Sequence, residues 1–465
     1  MQKSFIFDLN KCTGCQACQI ACEIENQLEP DIIWREIFTF NEPHYPDIPV
    51  FHYSLACNHC VGAPCMKYCP VLAVTKDAET GAVLIDEDRC IGCKYCSWVC
   101  PYDALKFNTT TNVMEKCTFC SHRLTDSIEP ACVTGCPTGA LKFGEYEKSN
   151  GEKTFPGFPS TGIKPAIEIK PLRKSNEYPE ITAVQKYDFV PKISSVNSSE
   201  SVHKISLKSE LPLAIFTLLA AILVPFFSAG VLSTVKVNPF LSTIPMHPIL
   251  FLGAGVIGIG LSTLHLGKKS RAPMALLNWK NSWISRELIF FSLFVVIGTI
   301  YLLFDSSSGI IGWTAVIMGS AALISMDKVY QIEGRLGWTK PHSAMVIITA
   351  LFLAGIFTGQ WLLIGWFGFL KLFLYTIRKQ YFYKNGRNPR VLLTGLRIVS
   401  GFILPLLLYQ TTGTEYIALI IGSILLGEVI DRCEFYMELE ILTPRKQIAI
   451  DLTLMIAKDK KAISC

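Results

Sequence analysis

Sixteen of the eighteen cysteines in this 465-residue chain lie between positions 12 and 136, in four groups of four. The first and third groups share the spacing CxxCxxCxxxC, the second opens one gap to four residues, and the fourth opens it to eleven. Three thiolates on one short loop suit three irons of a cubane cluster, and a fourth after a longer gap reaches a different cluster. The groups are Cys12, Cys15, Cys18 and Cys22; Cys57, Cys60, Cys65 and Cys69; Cys90, Cys93, Cys96 and Cys100; and Cys117, Cys120, Cys132 and Cys136.

The first and third groups lie in similar stretches, which indicates an internal duplication. FDLNKCTGCQACQIAC at 7–22 resembles IDEDRCIGCKYCSWVC at 85–100. Two groups of this kind form two clusters by exchanging their last cysteines. We therefore predict an α+β domain over residues 1–150, a doubled bacterial-ferredoxin-like fold that holds four [4Fe-4S] clusters. An extension and linker follows over residues 151–209, in which AIEIKP at 166–171 alternates like a short edge strand.

Zinc sites and disulfides are the alternative explanations for so many cysteines. Structural zinc sites pair one CxxC with a second CxxC or with a Cys/His pair, which leaves the trailing fourth cysteine of each group unexplained. A disulfide framework needs an oxidising compartment, and we expect no signal peptide in residues 1–11. Cys433 and Cys465 lie outside the four groups, and we interpret them as structural or incidental.

The chain after residue 210 is mostly apolar, which indicates a membrane domain. The stretch 343–376 would be about 51 Å long as one helix, against a hydrocarbon core of about 30 Å. We therefore expect two helices there, broken near Gly359 and Gln360. We predict an all-α bundle of eight transmembrane helices over residues 210–432 and a cytoplasmic tail over residues 433–465. The other six spans are predicted at 211–232, 248–266, 288–304, 309–326, 392–409 and 416–430.

Basic residues in the loops predict the orientation of this bundle. An even number of spans places both chain ends on one side, where three loops carry thirteen Lys and Arg residues against Lys236 alone on the other side. Because basic residues are retained in the cytoplasm, we predict the cluster domain on the cytoplasmic face of the bacterial inner membrane. Docking of a partner or of anionic lipid by these loops, or export with a signal-bearing subunit, are the alternatives. The thirteen are Lys268, Lys269, Arg271, Lys280, Arg286, Lys328, Arg335, Lys340, Arg378, Lys379, Lys384, Arg387 and Arg390.

Five polar residues near that side form a candidate quinol site. Ionisable side chains within spans are costly and mark functional sites. Oxidation of a quinol releases two protons with two electrons, and His or Glu can accept a proton within the membrane. Snorkelling or helix capping is the alternative reading of each residue. We expect no haem held by two histidines, because only one histidine lies within an apolar run. The five candidates are His265, Glu287, Tyr330, Arg397 and Glu428.

Both halves resemble subunits of one enzyme family. Residues 1 to about 180 resemble the four-cluster iron-sulfur subunit of dimethyl sulfoxide reductase-type molybdoenzymes, through CIGCKYCSWVCPYDA at 90–104 and KCTFC with CVTGCPTGAL within 116–141. Residues 209 to about 437 resemble the eight-helix anchor subunit of the same complexes. These subunits are normally separate polypeptides, so the chain resembles a fusion of the two. The anchor motifs are ELPLAIFTLL at 210–219, HLGKKSRA at 265–272, SWISRE at 282–287 and GEVIDRCEFY at 427–436.

The resemblance implies which cysteines share a cluster, by exchange between groups one and four and between groups two and three. It also implies that His265 and Glu287 bind menaquinol, and that a separate catalytic subunit with a bis-MGD molybdopterin carries the substrate-reducing site. Many relatives place that catalytic side outside the cell, against the loop charges here. The implied cluster sets are Cys12, Cys15, Cys18 with Cys136; Cys117, Cys120, Cys132 with Cys22; Cys90, Cys93, Cys96 with Cys69; and Cys57, Cys60, Cys65 with Cys100.

The leading functional hypothesis is a quinol-oxidising electron-transfer subunit that draws on the membrane quinol pool. We expect no nucleic-acid partner. The terminal substrate stays open among sulfoxides, N-oxides and oxyanions such as nitrate. The module of a polysulfide or nitrite reductase type, or of a cytoplasmic nitrate reductase, is an alternative within electron transfer. An ion-translocating unit and a passive anchor are alternatives of other classes.

Overall fold

The structure, a computed structural model, describes residues 2–40, 50–146, 163–172, 207–233, 247–304, 309–332, 341–384, 390–412 and 416–438. The chain forms two compact units, one with the cysteine groups and one with the apolar helices. Several predicted features lie outside the described residues: most of the extension, the tail beyond Glu438, and the side chains of Lys236, Arg335, Lys340, Arg387 and Cys465.

A three-stranded sheet closes one side of the cysteine unit. Strand β1 (Lys3–Asp8) lies in its centre, antiparallel to β8 (Leu141–Glu145) and parallel to β9 (Ile167–Lys170). Phe5 and Phe7 lie two residues apart on β1 and are each 1% exposed, whereas Ile6 between them is only partly buried, as expected of a strand with one more deeply buried face. The predicted edge strand at 166–171 is confirmed, because β9 lies at the edge of this sheet.

Short hairpins and short helices make up the rest of this unit. Each cysteine group has at least one member within or directly before one of these helices. The antiparallel hairpins are β2 (Glu36–Phe40) with β3 (Phe51–Leu55), β4 (Val74–Lys76) with β5 (Val83–Ile85), and β6 (Lys106–Asn108) with β7 (Val113–Glu115). The helices are α1 (Ala17–Glu25), α2 (Pro64–Lys67), α3 (Tyr95–Val99), α4 (Ser121–Thr125) and α5 (Ala131–Thr134).

The two duplicated stretches have the same local backbone. Gly14 and Gly92 have φ of +71° and +65°, and the residues that precede α1 and α3, Gln16 and Lys94, have φ of +63° and +59°. Left-handed backbone conformations at these four residues make the CxGC loop turn tightly just before the helix begins. The duplication is therefore visible in the chain's conformation, while a doubled ferredoxin-like fold for the whole unit stays a prediction.

The second unit is built from helices. Most of them are apolar along their whole length, as expected of segments that face lipid or one another. They are α6 (Leu207–Ser233), α7 (Pro248–Leu264), a 3-10 helix (Lys269–Leu276), α8 (Trp283–Leu303), α9 (Gly309–Tyr330), α10 (Val346–Thr358), α11 (Trp361–Lys384), α12 (Val391–Ile398), a π-helical turn (Val399–Ile403), α13 (Leu404–Thr412) and α14 (Ile417–Glu438).

Five helical segments among the described residues are long and apolar enough to cross a membrane, and the count is six if α7 and the 3-10 helix, bent by 108°, form one span. Helix α10 is only about 20 Å long at 1.5 Å per residue. The predicted break in the stretch 343–376 is confirmed: α10 ends at Thr358, and Gly359 has φ of +67°. The backbone N–H of Gln360 then donates a hydrogen bond to Gly355 O at 2.9 Å, as is typical at the C-terminus of a helix. The total of eight spans stays a prediction.

Glycines set the register of the first helices by allowing close approach. A Cβ on Gly255 of α7 would lie 2.5 Å from two Val295 atoms of α8, and one on Gly258 would lie 3.3 Å from Phe291. The contacts run in opposite order along the two helices, so α7 and α8 are antiparallel. Helices α8 and α9 are related in the same way, through contacts of Gly319 with Phe294 and of Gly312 with Tyr301.

We expect Gly255→Leu to loosen the α7–α8 contact and to lower stability by about 1–3 kcal/mol, the usual cost of overpacking. Gly253→Leu on the same helix is the matched control, since a Cβ there meets nothing within 4 Å. The measurement is the midpoint of thermal unfolding in detergent. Equal midpoints for the two variants would show that this crossing is not tight.

Candidate functional site

Two cavities in the cysteine unit are each lined by four cysteines. In both, three cysteines come from one sequence group and one is the last cysteine of another group. One cavity is lined by Cys57, Cys60, Cys65 and Cys100. The other is lined by Cys69, Cys90, Cys93 and Cys96.

The remaining cysteines lie near one another in the two other predicted combinations. The Cys12 thiol interacts electrostatically with the thiols of Cys15, Cys18 and Cys136. The Cys22 thiol interacts with those of Cys120 and Cys132, and so joins the fourth group. Helices α1 and α5, which carry cysteines of groups one and four, pack together, and this packing makes the exchange possible.

The donor set fits iron-sulfur clusters. In each cavity, four thiols from two sequence groups face one site, which is the donor set that a cubane cluster requires. In the described parts of the chain, no three Cys, His, Asp or Glu side chains converge closely enough to hold a single metal ion. Burial raises the pKa of the Cys22 thiol to about 12. Iron binding to such thiols must therefore displace protons.

Exposure differs among the four sets. Cys15 is exposed, and Cys12 and Cys136 are partly exposed. By contrast, all four cysteines that line the cavity of Cys57 and Cys100 are buried. The set that contains Cys15 therefore lies nearest the surface of this unit.

Glu287 lies near the start of α8 and is 5% exposed. Among the described residues, no Lys, Arg or His nitrogen lies within 4 Å of its carboxyl group. It interacts electrostatically with the hydroxyls of Tyr330 and Tyr436, which are hydrogen-bonded to each other. An ionisable group inside a span without a paired charge is a candidate functional residue.

The helix registers bring three of the five predicted quinol-site residues to one end of the bundle. The α7–α8 register places Ser262 level with Glu287, and His265, which ends α7, about one turn beyond it. The α8–α9 register places Tyr330 about one turn beyond Glu287 in the same direction. His265 is partly buried.

The other two predicted residues, Arg397 and Glu428, bind each other. Arg397 Nη2 lies 3.0 Å from Glu428 Oε1, and Lys371 Nζ lies 2.8 Å from Glu428 Oε2. Lys371 Nζ also donates to Ser343 O at 2.7 Å and to Thr349 Oγ1 at 2.9 Å. All three charged side chains are at most 3% exposed.

This pair belongs to a larger set of contacts that we name the α11–α14 ion network. Acidic residues that recur every three or four positions along α14 face basic residues of α11 and α12. Asp431 lies 2.8 Å from Arg378, and Glu434 lies 2.8 Å from Lys379. The network contains Lys371, Arg378, Lys379, Arg397, Glu428, Asp431, Glu434 and Glu438.

Sequence reasoning missed most of this network, although a signal was present. Acidic residues at helical spacing in an otherwise apolar segment call for basic partners on a facing helix. Arg378 and Lys379 were counted among the loop charges, but they lie within α11 and pair with α14. Arg286, Lys328 and Lys384 also lie within long helices, which leaves eight of the thirteen basic residues against Lys236, and the orientation stays a prediction.

Comparison with known proteins gives the family. Residues 48–146 match the family model "4Fe-4S dicluster domain", and residues 206–367 match the model "DMSO reductase anchor subunit". The B component of the anaerobic dimethyl sulfoxide reductase of Escherichia coli is 37% identical over 187 residues, which cover 37% of this chain and 91% of the relative. This protein belongs to the dimethyl sulfoxide reductase family. It is an iron-sulfur subunit of that family fused to an anchor subunit.

Subunits of other enzymes match a similar share of the chain. The B component of the sulfite dehydrogenase of Allochromatium vinosum is 34% identical over 203 residues, 37% of this chain and 85% of the relative. The thiosulfate reductase electron transfer subunit of Salmonella typhi is 40% identical over 152 residues, 32% of this chain and 78% of the relative. The anchor match ends within α11, so the resemblance seen at 427–436 lies beyond it.

We expect Glu428→Gln to cost about 3–5 kcal/mol of stability, because it leaves Lys371 and Arg397 buried without their shared anion. The double variant Lys371→Met, Glu428→Gln should recover part of that loss. Lys280→Met removes an exposed charge and should change stability by less than about 0.5 kcal/mol. Unfolding in detergent measures all three, and a Glu428→Gln variant as stable as the parent chain contradicts the pairing.

Proposed function

We propose that this chain is the membrane electron-transfer subunit of a molybdopterin oxidoreductase. It oxidises quinol and passes the electrons through four [4Fe-4S] clusters to a separate catalytic subunit with bis-MGD. The observation that carries this proposal is the pair of cavities that each gather four cysteines from two groups, in a chain whose other half matches an anchor subunit. The chain is thus one component of an oxidoreductase.

Each cluster would be held by one of the four cysteine sets. Two sets are those that line the two cavities, and the other two are Cys12, Cys15, Cys18 with Cys136 and Cys117, Cys120, Cys132 with Cys22. When bound, such clusters carry one electron at a time. The protein's part is to fix the clusters in order and to exclude water from them. The exposure of Cys15 favours the first set as the exit toward the catalytic subunit.

The quinol would bind at the end of the bundle where His265, Glu287 and Tyr330 come together. Two protons must leave the quinol with its two electrons, and a buried carboxyl group and an imidazole can each take one. Glu287 suits this role because no cation neutralises it among the described residues, whereas Glu428 is held between two. This contrast favours Glu287 and His265 over Arg397 and Glu428.

The substrate of the catalytic subunit is not encoded in this chain. The relatives are named for dimethyl sulfoxide, sulfite and thiosulfate, and their names include both reductases and a dehydrogenase. Similar cluster units are therefore found in enzymes that are named for several sulfur compounds. We propose a sulfoxide, an N-oxide or an oxyanion as the substrate class.

In membranes that contain the assembled complex, His265→Ala and Glu287→Gln should slow the reduction of the clusters by a menaquinol analogue at least about 100-fold, because each loses a proton acceptor. Reduction by dithionite should stay unchanged, and the chain should retain about sixteen irons. His247→Ala is the matched control, since His247 caps the opposite end of α7. Undiminished quinol oxidation in both variants would instead favour a passive anchor.

We also propose the bacterial inner membrane as the location, with the cluster unit in the cytoplasm. A reporter fused after Cys465 should be active when it requires the cytoplasm, because the loop charges place that end inside. A reporter inserted after Lys236 should be active only when it requires the periplasm. The opposite pattern overturns the orientation and favours export with a partner.

A further inference from the structure

Arg35 is an unusual cation inside the cysteine unit. It directly precedes β2 and is 1% exposed. Its guanidinium carbon lies 4.3 Å from the centre of the Phe5 ring, and Nη1 donates to Ser54 Oγ at 3.0 Å. Its other two nitrogens, Nε and Nη2, are buried, and the guanidinium also interacts with the Cys132 thiol.

The charge of Arg35 is surrounded by cysteine thiols. Its strongest electrostatic neighbours are Cys132, Cys18, Cys117 and Cys22. Three of these belong to the proposed set of Cys117, and Cys18 belongs to the proposed set of Cys12. Ser54, which accepts the hydrogen bond from Arg35, lies 3.6 Å from Cys18 Sγ. Arg35 therefore lies between two proposed cluster sites.

A buried guanidinium needs negative charge nearby. Transfer of a cation out of water is costly unless an anion compensates it. Among the described residues no carboxylate lies within 4 Å of Arg35. A cluster held by four thiolates is anionic and gains one more negative charge on reduction. The attraction to Arg35 is therefore stronger in the reduced state, and burial leaves it little screened by water.

We propose that Arg35 raises the reduction potentials of the two clusters held by the sets of Cys12 and Cys117. The proposal rests on the cluster assignment under the proposed function. The contribution should be larger at the Cys117 set, since three of the four thiols that interact most strongly with the guanidinium belong to it. The two clusters in the cavities lined by Cys57 and by Cys69 should be much less affected. Arg35 would then act through electrostatics, as net charge near a cluster is known to do.

A structural brace is the competing role. Arg35 joins Phe5 of β1, Ser54 of β3 and the cysteine loops, so its loss could simply loosen this unit. The two roles differ in what they require. A brace depends on the size and hydrogen bonds of the side chain, whereas a shift in potential depends on its charge.

The test is a redox titration of the full chain in membranes, followed by electron paramagnetic resonance, for Arg35→Gln and Arg35→Lys. For Arg35→Gln, two of the four potentials should fall. At a fixed potential, the ratio of reduced to oxidised cluster should drop at least about tenfold, or about 59 mV for one electron. Arg35→Lys should keep most of the parent values. Lys11→Gln, which removes an exposed charge beside Cys12, should change them little.

A second pair of variants keeps the test sharp if Arg35→Gln does not assemble its clusters. Ser54→Asp would place a carboxylate next to Arg35 Nη1. This carboxylate would neutralise the charge of the guanidinium, while the Arg35 side chain itself stays in place. Ser54→Asn is the matched neutral control. We expect Ser54→Asp to lower the same two potentials and Ser54→Asn to leave them near the parent values.

Several results overturn the inference. Unchanged potentials in Arg35→Gln with all clusters present would exclude electrostatic tuning, as would an equal shift of all four potentials. Equal shifts in Arg35→Lys and Arg35→Gln would identify a role of shape. Iron and sulfide analysis of the parent chain separates these results from a failure of the proposed function, because a chain without four clusters would refute the cluster assignment itself.

Discussion

The convergence of cysteines from two sequence groups on one cavity is the constraint on which the cysteine unit depends. Its described strands have three to six residues and its helices four to nine, too few for extensive packing between them. Thiols from distant positions converge instead, as Cys100 does with Cys57. Iron bound at these sites would cross-link the short elements. Cluster binding and folding should therefore be coupled, as in other small metal-binding domains.

The helical unit follows a different rule, because charge inside a membrane must be compensated. In the α11–α14 ion network, four acidic residues meet four basic ones, so the charges balance within the network. Such a network fixes which faces of α11, α12 and α14 meet, a use of buried ion pairs for specificity. Glu287 differs from these residues, since it is buried beside Tyr330 and Tyr436 without a cation within 4 Å among the described residues. The distinction between paired and unpaired acids separates structural from functional candidates.

Local features of this fold could be predicted from the sequence, whereas among long-range contacts only the cysteine combinations could be, through the family resemblance. Cysteine spacing, the edge strand β9 and the break at Gly359 each depend on a few adjacent residues. Helix ends were less accurate: α8 begins five residues before the predicted span because Ser282 caps it, so Glu287 lies inside the helix. The surroundings of Arg35 combine positions 5, 18, 54, 117 and 132, and no local pattern could bring these together. The pairing of Arg397 with Glu428 likewise depends on which helices face each other.

The exposure of Cys15 has a consequence for the life of the protein outside its complex. A cluster that gives up electrons to a partner must come close to the surface, and the same closeness admits oxidants dissolved in water. Under the proposed function, a cluster held by Cys12, Cys15, Cys18 and Cys136 would therefore be the one most open to damage by oxygen while no catalytic subunit covers it. The catalytic subunit would then act as a shield as well as an electron acceptor, and assembly in the absence of air would protect the chain where it is most vulnerable.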